Sequence, residues 1–503
     1  MTSHILLLTL AFLLSLPGFY RLRRKTRLPL PPGPKRYPIV GNLFDKPADY
    51  QWIKYFEWSK EYNSDVIYFS IFGKPTIVLN SRKAVNDLLL ARSLLYSDRP
   101  TSTMINELLG WESMFSFAPY GQPWRARRRA FSQEFTSGQS VYHRPKQLRN
   151  IRGLLRRILN EPDDFFHHIS YSLSTSIISI AYGLEVKPEN DHNIQLCEAA
   201  IGQLSRAALH GDYLVDVLPI LKHVPSWIPG AGFKAYAEEA RPKTMAMLEV
   251  PYGEARERIR YGTIEQSIVS SCLARGDAEE DVIRDVASIA YAGGSETSHV
   301  ALKTFFVAMV LYPDVQKRGQ QELDTYAGSQ LPTFDDLPHM PYVHAIMLEV
   351  LRWQAVLPLG VAHRLTEDDT YNGYYLPKGA TVLANTWALL RDEEYYPDPD
   401  GFYPDRFLKD GKINPKLCEA MPNFGYGRRI CPGRHFAMDS LQMSIASILA
   451  VFNIDKARDD RGQVMEPEIE YISGFTRHLR PFKCAITPRS PEAEKLVNNA
   501  DFL

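Results

Sequence analysis

A cysteine in a glycine-rich segment is the strongest candidate for chemistry in this chain of 503 residues. Cys431 lies in Phe424-Gly-Tyr-Gly-Arg-Arg-Ile-Cys-Pro-Gly433, and the three glycines of that segment are typical of a tightly turning backbone. Residues 434–452 follow with helical periodicity. Unpaired N–H groups and the positive end of a helix dipole would favour a thiolate there. A small buried cysteine without chemistry is the alternative.

A second candidate lies within a long predicted helix, from about Glu280 to Leu311. The segment Ala292-Gly-Gly-Ser-Glu-Thr-Ser298 interrupts an otherwise good helix-forming sequence. Two adjacent glycines cost roughly 1 kcal/mol each relative to alanine, so they need a structural or functional reason. A close crossing with another helix would be one reason. Glu296 and Thr297, directly after these glycines, carry groups that can move protons.

Two further pairs have helical spacing. Trp124 and Arg128 are four residues apart on a basic helix, for which a solvated surface is the alternative. Glu349 and Arg352 are three residues apart and share a helix face. The Glu-x-x-Arg spacing alone is weak, because it also occurs elsewhere in the chain.

Together these segments resemble the cytochrome P450 family. The heme-ligand signature of that family is matched at five positions of fixed spacing, which are Phe424, Gly427, Arg429, Cys431 and Gly433. The other motifs follow in the family's order and cover nearly the whole chain. The sequence resembles most the fungal secondary-metabolism members of the O-methylsterigmatocystin oxidoreductase type.

The resemblance implies heme b as cofactor, with the Cys431 thiolate as the axial ligand of the iron. Arg429 would bind a heme propionate, and Phe424 would pack beside the thiolate. Gly427 and Gly433 complete the signature and count as cofactor-binding residues. Trp124 and Arg128 would also bind a propionate. So would His363, for which an ordinary surface histidine is the alternative.

The resemblance also implies how protons reach the distal side of the heme. Glu296 and Thr297 match the acid–alcohol pair of the family, with glutamate in place of the commoner aspartate. The adjacent glycines would make room for dioxygen. Glu349, Arg352 and Arg406 match a buried Glu-Arg-Arg network that holds the cysteine loop.

The expected fold class is mainly α with a small β-sheet region, the cytochrome P450 fold, preceded by an N-terminal transmembrane helix. β-branched and aromatic residues at 65–72 and 75–79, separated by Gly73-Lys74, predict a hairpin. The domain boundaries are an anchor at 1–20, a basic and Pro-rich linker at 21–36 and one catalytic domain at 37–503. The polar tail from Arg489 is expected to be exposed.

The first twenty residues carry no charged side chain, and a helix needs about 20 apolar residues to cross a bilayer. Five basic residues follow between Arg21 and Arg27. By the positive-inside tendency that flank stays in the cytosol, so we expect an endoplasmic reticulum membrane protein with a cytosolic catalytic domain. A cleaved signal peptide is the alternative.

Charge and motifs also limit the classes of partner that we expect for this protein. Lys+Arg and Asp+Glu are both 58, which argues against nucleic-acid binding. Because no nucleotide-binding motif is evident, electrons should come from NADPH–cytochrome P450 reductase, with cytochrome b5 as a second candidate donor. The expected reaction is monooxygenation of a hydrophobic small molecule such as a terpenoid or polyketide. A heme-thiolate isomerase or dehydratase and a housekeeping sterol or fatty acid hydroxylase are the alternatives.

Overall fold

The computed structural model describes residues 28–500, apart from 211–212, 329 and 420. Helices make up most of this part of the chain, as the sequence predicts. The α-helices are α1 Gln51–Glu61, α2 Arg82–Val85, α3 Ser93–Tyr96, α4 Gln122–Phe135, α5 Ser137–Asn160, α6 Phe165–Tyr182, α7 His192–His210, α8 Leu214–Val217, α9 Gly232–Arg260, α10 Ile268–Arg275, α11 Glu280–Leu311, α12 Pro313–Tyr326, α13 Pro341–Trp353, α14 Thr386–Leu389, α15 Pro415–Glu419, α16 Arg434–Val451 and α17 Pro491–Asn498.

Short helical segments of other types connect several of these helices. π-helical turns occur at Asn86–Ala91 and Thr103–Leu108. 3₁₀ turns occur at Pro162–Asp164, Pro219–His223, Leu337–His339, Pro404–Phe407, Pro422–Phe424 and Gly427–Arg429.

The sheets are small. The strands are β1 Val66–Ile71, β2 Lys74–Leu79, β3 His363–Arg364, β4 Asp369–Tyr371, β5 Tyr374–Leu376, β6 Thr381–Ala384, β7 Leu408–Lys409, β8 Lys412–Ile413, β9 Phe452–Lys456 and β10 Cys484–Pro488. The largest sheet has the order β1-β2-β6-β3, and three two-stranded ladders are formed by β9 with β10, β4 with β5, and β7 with β8.

The predicted hairpin is confirmed as β1 and β2, which pair antiparallel from Val66 opposite Leu79 to Ile71 opposite Lys74. Phe72 and Gly73 form the two-residue turn, and both have positive φ, at 46° and 79°. A turn with two positive φ values matches the twist of the flanking strands, so it gives a tight hairpin.

The long helix predicted from Glu280 to Leu311 is confirmed as α11. Its 32 residues span about 48 Å, and most of its side chains are buried. Helices α4, α6 and α16 pack against it. Two large apolar clusters share it, one around its C-terminal half and the other around its N-terminal half. This helix therefore forms the central wall of the molecule.

The predicted Glu-Arg-Arg network forms beneath the cysteine loop. The Glu349 carboxylate accepts two hydrogen bonds from Arg352, at 2.7 and 2.8 Å, and one from Arg406 Nε at 3.1 Å. Glu349 and Arg352 are completely buried. Asn423, just before the cysteine loop, donates to the carbonyl oxygen of Leu351 at 2.7 Å. The helix that carries the network, α13, is thus tied directly to the loop.

Two expectations at the ends of the chain need correction. The C-terminal tail is not simply exposed, because α17 buries Ala493 and Val497 and packs against α5 and α16. The described part of the predicted linker is bonded to the body: the carbonyl oxygen of Pro29 accepts a hydrogen bond from Tyr375 N, and that of Pro32 accepts one from Tyr68 N. The folded body therefore begins before residue 37.

The predicted membrane anchor, residues 1–20, lies outside the described residues, as does the basic part of the linker up to residue 27. Among the helices at 28–500, none combines the length and the apolar character that a bilayer crossing requires.

Candidate active site

The cysteine loop is held by its own backbone. Cys431 N donates to the carbonyl oxygen of Phe424 at 2.7 Å, which closes the loop just before α16 begins at Arg434. Gly425 and Gly427 have positive φ, at 78° and 53°. A side chain at Gly427 would also place its Cβ 2.3 Å from the carbonyl oxygen of Leu89. Glycine at 427 therefore permits both the turn and its close contact with the π-helical segment.

Opposing effects act on the thiol of Cys431. Burial raises its pKa, whereas the N–H of Gly433 and the charges of Arg128 and Arg434 lower it. The net pKa lies above the usual value, so the Gly433 N–H and the two arginine charges do not outweigh desolvation. A coordinated metal ion would deprotonate the thiol, because such an ion is the largest charge in its site.

A cavity of about 330 Å³ lies between the cysteine loop and α11. Cys431 and Phe424 line one side, and Gly293, Glu296 and Thr297 of α11 line the other. Most of the remaining lining is aromatic or aliphatic. It includes Trp111, Phe115, Phe117, Phe131, Ile177, Leu204, Ile289, Ala290, Val356, Leu357, Leu359, Phe436 and Phe475.

Three arginines and a histidine line one end of this cavity. Arg429 is buried, and its guanidinium donates to the carbonyl oxygens of Ser97, Phe115 and Ala118. Burial lowers its pKa to about 10. Arg128 also has a lowered pKa because of burial, and it makes no hydrogen bond or ion pair within the described part of the chain.

Arg99 is the third arginine, and sequence reasoning missed it. It is buried, donates to the carbonyl oxygens of Ser116, Val361 and Ala362, and has a pKa lowered first by burial and then by Arg429. No chemical motif surrounds it in the sequence; the fold brings it to Arg429. Three cations in a desolvated space attract an anionic group strongly.

His363 lies in β3 beside these arginines and is 5% exposed, which excludes the alternative of a surface histidine. Its Nδ1 is 2.6 Å from the carbonyl oxygen of Tyr96 and donates to it. Burial, and then the charge of Arg99, lower its pKa to about 3. The imidazole is therefore neutral at physiological pH.

On α11, the two glycines serve different purposes. A Cβ at Gly294 would lie 3.1 Å from the side chain of Ile177, so this glycine permits the close crossing with α6. Gly293 has open space and lines the cavity. The Thr297 hydroxyl donates to the Gly293 carbonyl oxygen at 2.9 Å. The close helix crossing considered for the glycine pair is therefore confirmed at Gly294, whereas room for dioxygen beside Gly293 stays a prediction.

Glu296 lines the cavity but makes its closest contact outside the acid–alcohol pair. Its Oε1 is 2.6 Å from Nε2 of His478, which lies in the loop before β10. Sequence reasoning missed His478, because 181 residues separate the two and no motif links them.

Nine of the ten predicted site residues line the cavity, namely Phe424, Arg429, Cys431, Gly433, Trp124, Arg128, His363, Glu296 and Thr297. Gly427 does not line it; its contact is with Leu89. A model of the family described as "Cytochrome P450" matches residues 31–484 of this sequence. The chain belongs to the cytochrome P450 family.

Curated relatives support this family over almost the full chain. A cytochrome P450 monooxygenase, ple1, from Rhodocybe pseudopiperita is 41% identical over 483 residues, which is 94% of this chain and 92% of the relative. Tryptamine 4-monooxygenase from Psilocybe cyanescens is 38% identical, with 95% and 96% covered. The monooxygenase claR from Ampulloclitocybe clavipes is 38% identical, with 96% and 90% covered. The protein is thus a P450 monooxygenase.

P450 proteins bind heme, and the residues of this cavity fit that group. Heme is a flat apolar ring with an iron ion at its centre and two propionates at one edge. The cavity offers a cysteine sulfur on one wall, apolar side chains around it and a cluster of arginines at one end. Arg128, which has no protein partner in the described chain, has the charge that a propionate needs.

Proposed function

We propose that this P450 hydroxylates or otherwise oxidises a neutral, hydrophobic small molecule of secondary metabolism, such as a terpenoid or a polyketide. The observation that carries the proposal is the apolar cavity, with a cysteine on one wall and an acid–alcohol pair on the other. One oxygen atom of O₂ enters the substrate and the other leaves as water. The reaction consumes two electrons and two protons per turnover.

In this proposal each site residue has a defined contact. Cys431 ligates the iron, Phe424 packs beside the sulfur, and Gly427 and Gly433 shape the loop. Arg429, Arg128, Trp124 and His363 hold the propionates. Heme supplies the oxygen activation. Glu296 and Thr297 hold and pass protons on the opposite side of the cavity, where Thr297 Oγ1 already has the Gly293 carbonyl as a hydrogen-bond acceptor.

The aromatic side chains that line the cavity favour a neutral substrate. Phe117 and Phe475 lie with ring centroids 6.1 Å apart, and Trp111 is in edge contact with Phe117 at 6.3 Å. Glu296 is the acidic side chain of the described cavity lining, and its carboxylate is already paired with His478. A cationic amine, the kind of substrate named in one relative, would have to displace His478, so we favour an uncharged ring system.

We also propose a membrane-associated protein of the endoplasmic reticulum, with the N-terminal anchor and single catalytic domain expected from the sequence. Large exposed apolar side chains support a membrane-facing surface. They are Ile39, Phe44, Leu218, Ile220 and Trp227. The Lys74 ammonium contacts the Asp216 carbonyl oxygen, which places the β1–β2 turn beside the loop that carries Leu218 and Ile220. Single exposed residues are ordinary, whereas larger exposed apolar surfaces mark sites that bind a membrane or a partner.

Electrons are proposed to come from NADPH–cytochrome P450 reductase, with cytochrome b5 as a second donor. Arg125 and Arg129 on α4 and Arg428 in the cysteine loop are exposed. Such a basic surface beside the heme ligand suits an acidic redox partner.

An optical titration tests the function. Purified ferric protein is titrated with terpenoids, polyketides, sterols, fatty acids and indoles, and the Soret band is followed. We expect a shift toward high spin with one neutral hydrophobic class, because the ligand displaces iron-bound water. A shift with indole amines alone would contradict the substrate class. A folded, heme-supplied protein with no Soret band would contradict the Cys431 assignment; Cys431→Ser should lose the band's thiolate character, and the control Cys418→Ser should keep it.

A further inference from the structure

A second cavity, of about 180 Å³, lies on the far side of Glu296 from the heme cavity. Helices α6, α7 and α11 and the loop before β10 form its walls. In contrast to the heme cavity, it is lined by polar and ionisable side chains. They include Ser170, Glu198, Ser295, His299, Lys303 and His478. A polar space of this size holds several water molecules.

Glu296 and Ile201 line both cavities, and Glu296 is the ionisable residue of the two. Its Oε1 lies 2.6 Å from Nε2 of His478, and the His478 side chain is 40% exposed. The Glu296 side chain is 20% exposed. A continuous path of side chains therefore runs from bulk water through His478 to Glu296 and into the heme cavity.

The other ionisable groups of the polar cavity have pKa values that are shifted by burial. His299 is buried; burial, and then Lys303 and His478, lower its pKa to about 3, so it does not take up a proton near neutrality. Burial lowers the pKa of Lys303 to about 8, although Glu296 and Glu198 oppose the shift, and its ammonium is bonded to Ser170. Burial raises the pKa of Glu198. Within the described chain, His478 alone of these groups forms an ion pair with Glu296.

We propose that His478 takes up protons from solvent and passes them to Glu296, whose carboxylate it also holds between the two cavities. In each transfer the imidazolium N–H bond of His478 breaks and an O–H bond forms on Glu296. Water at the surface then reprotonates His478. Two such transfers supply the two protons of one turnover. His478 lines the polar cavity and not the heme cavity, so it acts as a positioning and proton-transfer residue; the inference rests on the monooxygenase function proposed above.

The test compares two ways of driving the enzyme. His478→Gln keeps a donor for the Glu296 carboxylate but has no transferable proton. With NADPH, reductase and O₂, we expect product formation to fall on the order of 10-fold or more, since a positioned acid–base group contributes about 10²–10⁴-fold. With hydrogen peroxide the loss should disappear, because peroxide already carries both electrons and both protons. A larger solvent isotope effect should accompany the NADPH-driven loss.

Two control variants make the result specific. His339→Gln removes a histidine outside both cavities and should behave like the wild type. Glu198→Gln alters the polar cavity and leaves the Glu296–His478 pair in place, so its effect should be small beside that of His478→Gln. Wild-type NADPH-driven turnover in His478→Gln, or a larger loss in Glu198→Gln, would overturn the proposal. If the wild type forms no product by either route, the proposed function itself fails.

A readout independent of turnover tests the contact. Thermal unfolding midpoints are measured for the heme-loaded His478→Ala and Glu296→Ala proteins, each of which removes the contact, and for the double variant. Because the two side chains interact directly, the double variant should lose less than the sum of the single losses. Strict additivity would show that the contact is absent and would overturn the proposal.

Discussion

The substitution Gly427→Ala separates two explanations for this glycine of the cysteine loop. The residue has φ of 53°, and an added Cβ would lie 2.3 Å from the Leu89 carbonyl oxygen. Left-handed backbone costs an alanine about 1–2 kcal/mol. Forcing a backbone atom aside adds about 1–3 kcal/mol, as in overpacked cores. The total expected loss of stability is therefore about 2–5 kcal/mol.

Gly411 provides a matched control for that prediction. It has φ of 73° in the β7–β8 turn, and an added Cβ would meet nothing within 4 Å. Gly411→Ala should therefore cost only the backbone term, about 1–2 kcal/mol. Urea unfolding followed by circular dichroism measures both free energies, and the Soret band of the folded variants reports heme retention. Equal losses of stability in the two variants would refute the packing explanation for Gly427.

Three further predictions follow from the buried charges and the distal pair. Arg352→Leu should lower the free energy of unfolding by about 3–5 kcal/mol in urea titrations, since it leaves the Glu349 carboxylate buried with one partner fewer; a loss under about 1 kcal/mol would contradict this reasoning. In the folded protein the pKa of His363 is about 3, so the imidazole is neutral. In the unfolded chain this pKa has its usual value of about 6.5, so the unfolded chain binds one proton more as the pH falls below about 6.5. As the pH falls from about 6.5 to about 3, the free energy of unfolding should therefore decrease less in His363→Asn than in the wild type. Parallel curves of stability against pH for the two proteins would contradict this prediction. Thr297→Val should lower product formed per NADPH while leaving the spectral substrate affinity unchanged, and an unchanged product yield would argue against proton handling at Thr297.

Local patterns predicted the main elements of the fold. The β1–β2 hairpin follows from two β-branched segments separated by Gly73-Lys74, and α11 follows from more than eight turns of helix-forming residues. Both signals lie within a few residues or one continuous helix. The ends of the domain were predicted less well, because whether Pro29 to Pro32 or α17 packs on the body depends on distant partners such as Tyr68 and Tyr375.

The candidate site divides in the same way. Residues in motifs, such as Cys431 and the Trp124–Arg128 pair, could be found because their spacing is fixed along the chain. Arg99 and His478 could not be found in this way, because each lies beside its charged neighbour in the fold but more than 150 residues from it in the sequence. The motif also marked Gly427, but only the structure shows that this glycine lies against the backbone of Leu89.

The acid–alcohol pair lies where helix α11 separates an apolar space from a polar one. Gly294 brings this helix against Ile177, and that contact helps to close the apolar cavity on one side. The next residue, Ser295, is hydrogen-bonded to Ser174 and His299 within the polar cavity. Glu296 therefore has mainly apolar side chains on one side, in the heme cavity, and polar side chains on the other. A carboxylate in that position can exchange protons with water while the substrate remains shielded from it, which is the separation that monooxygenation requires.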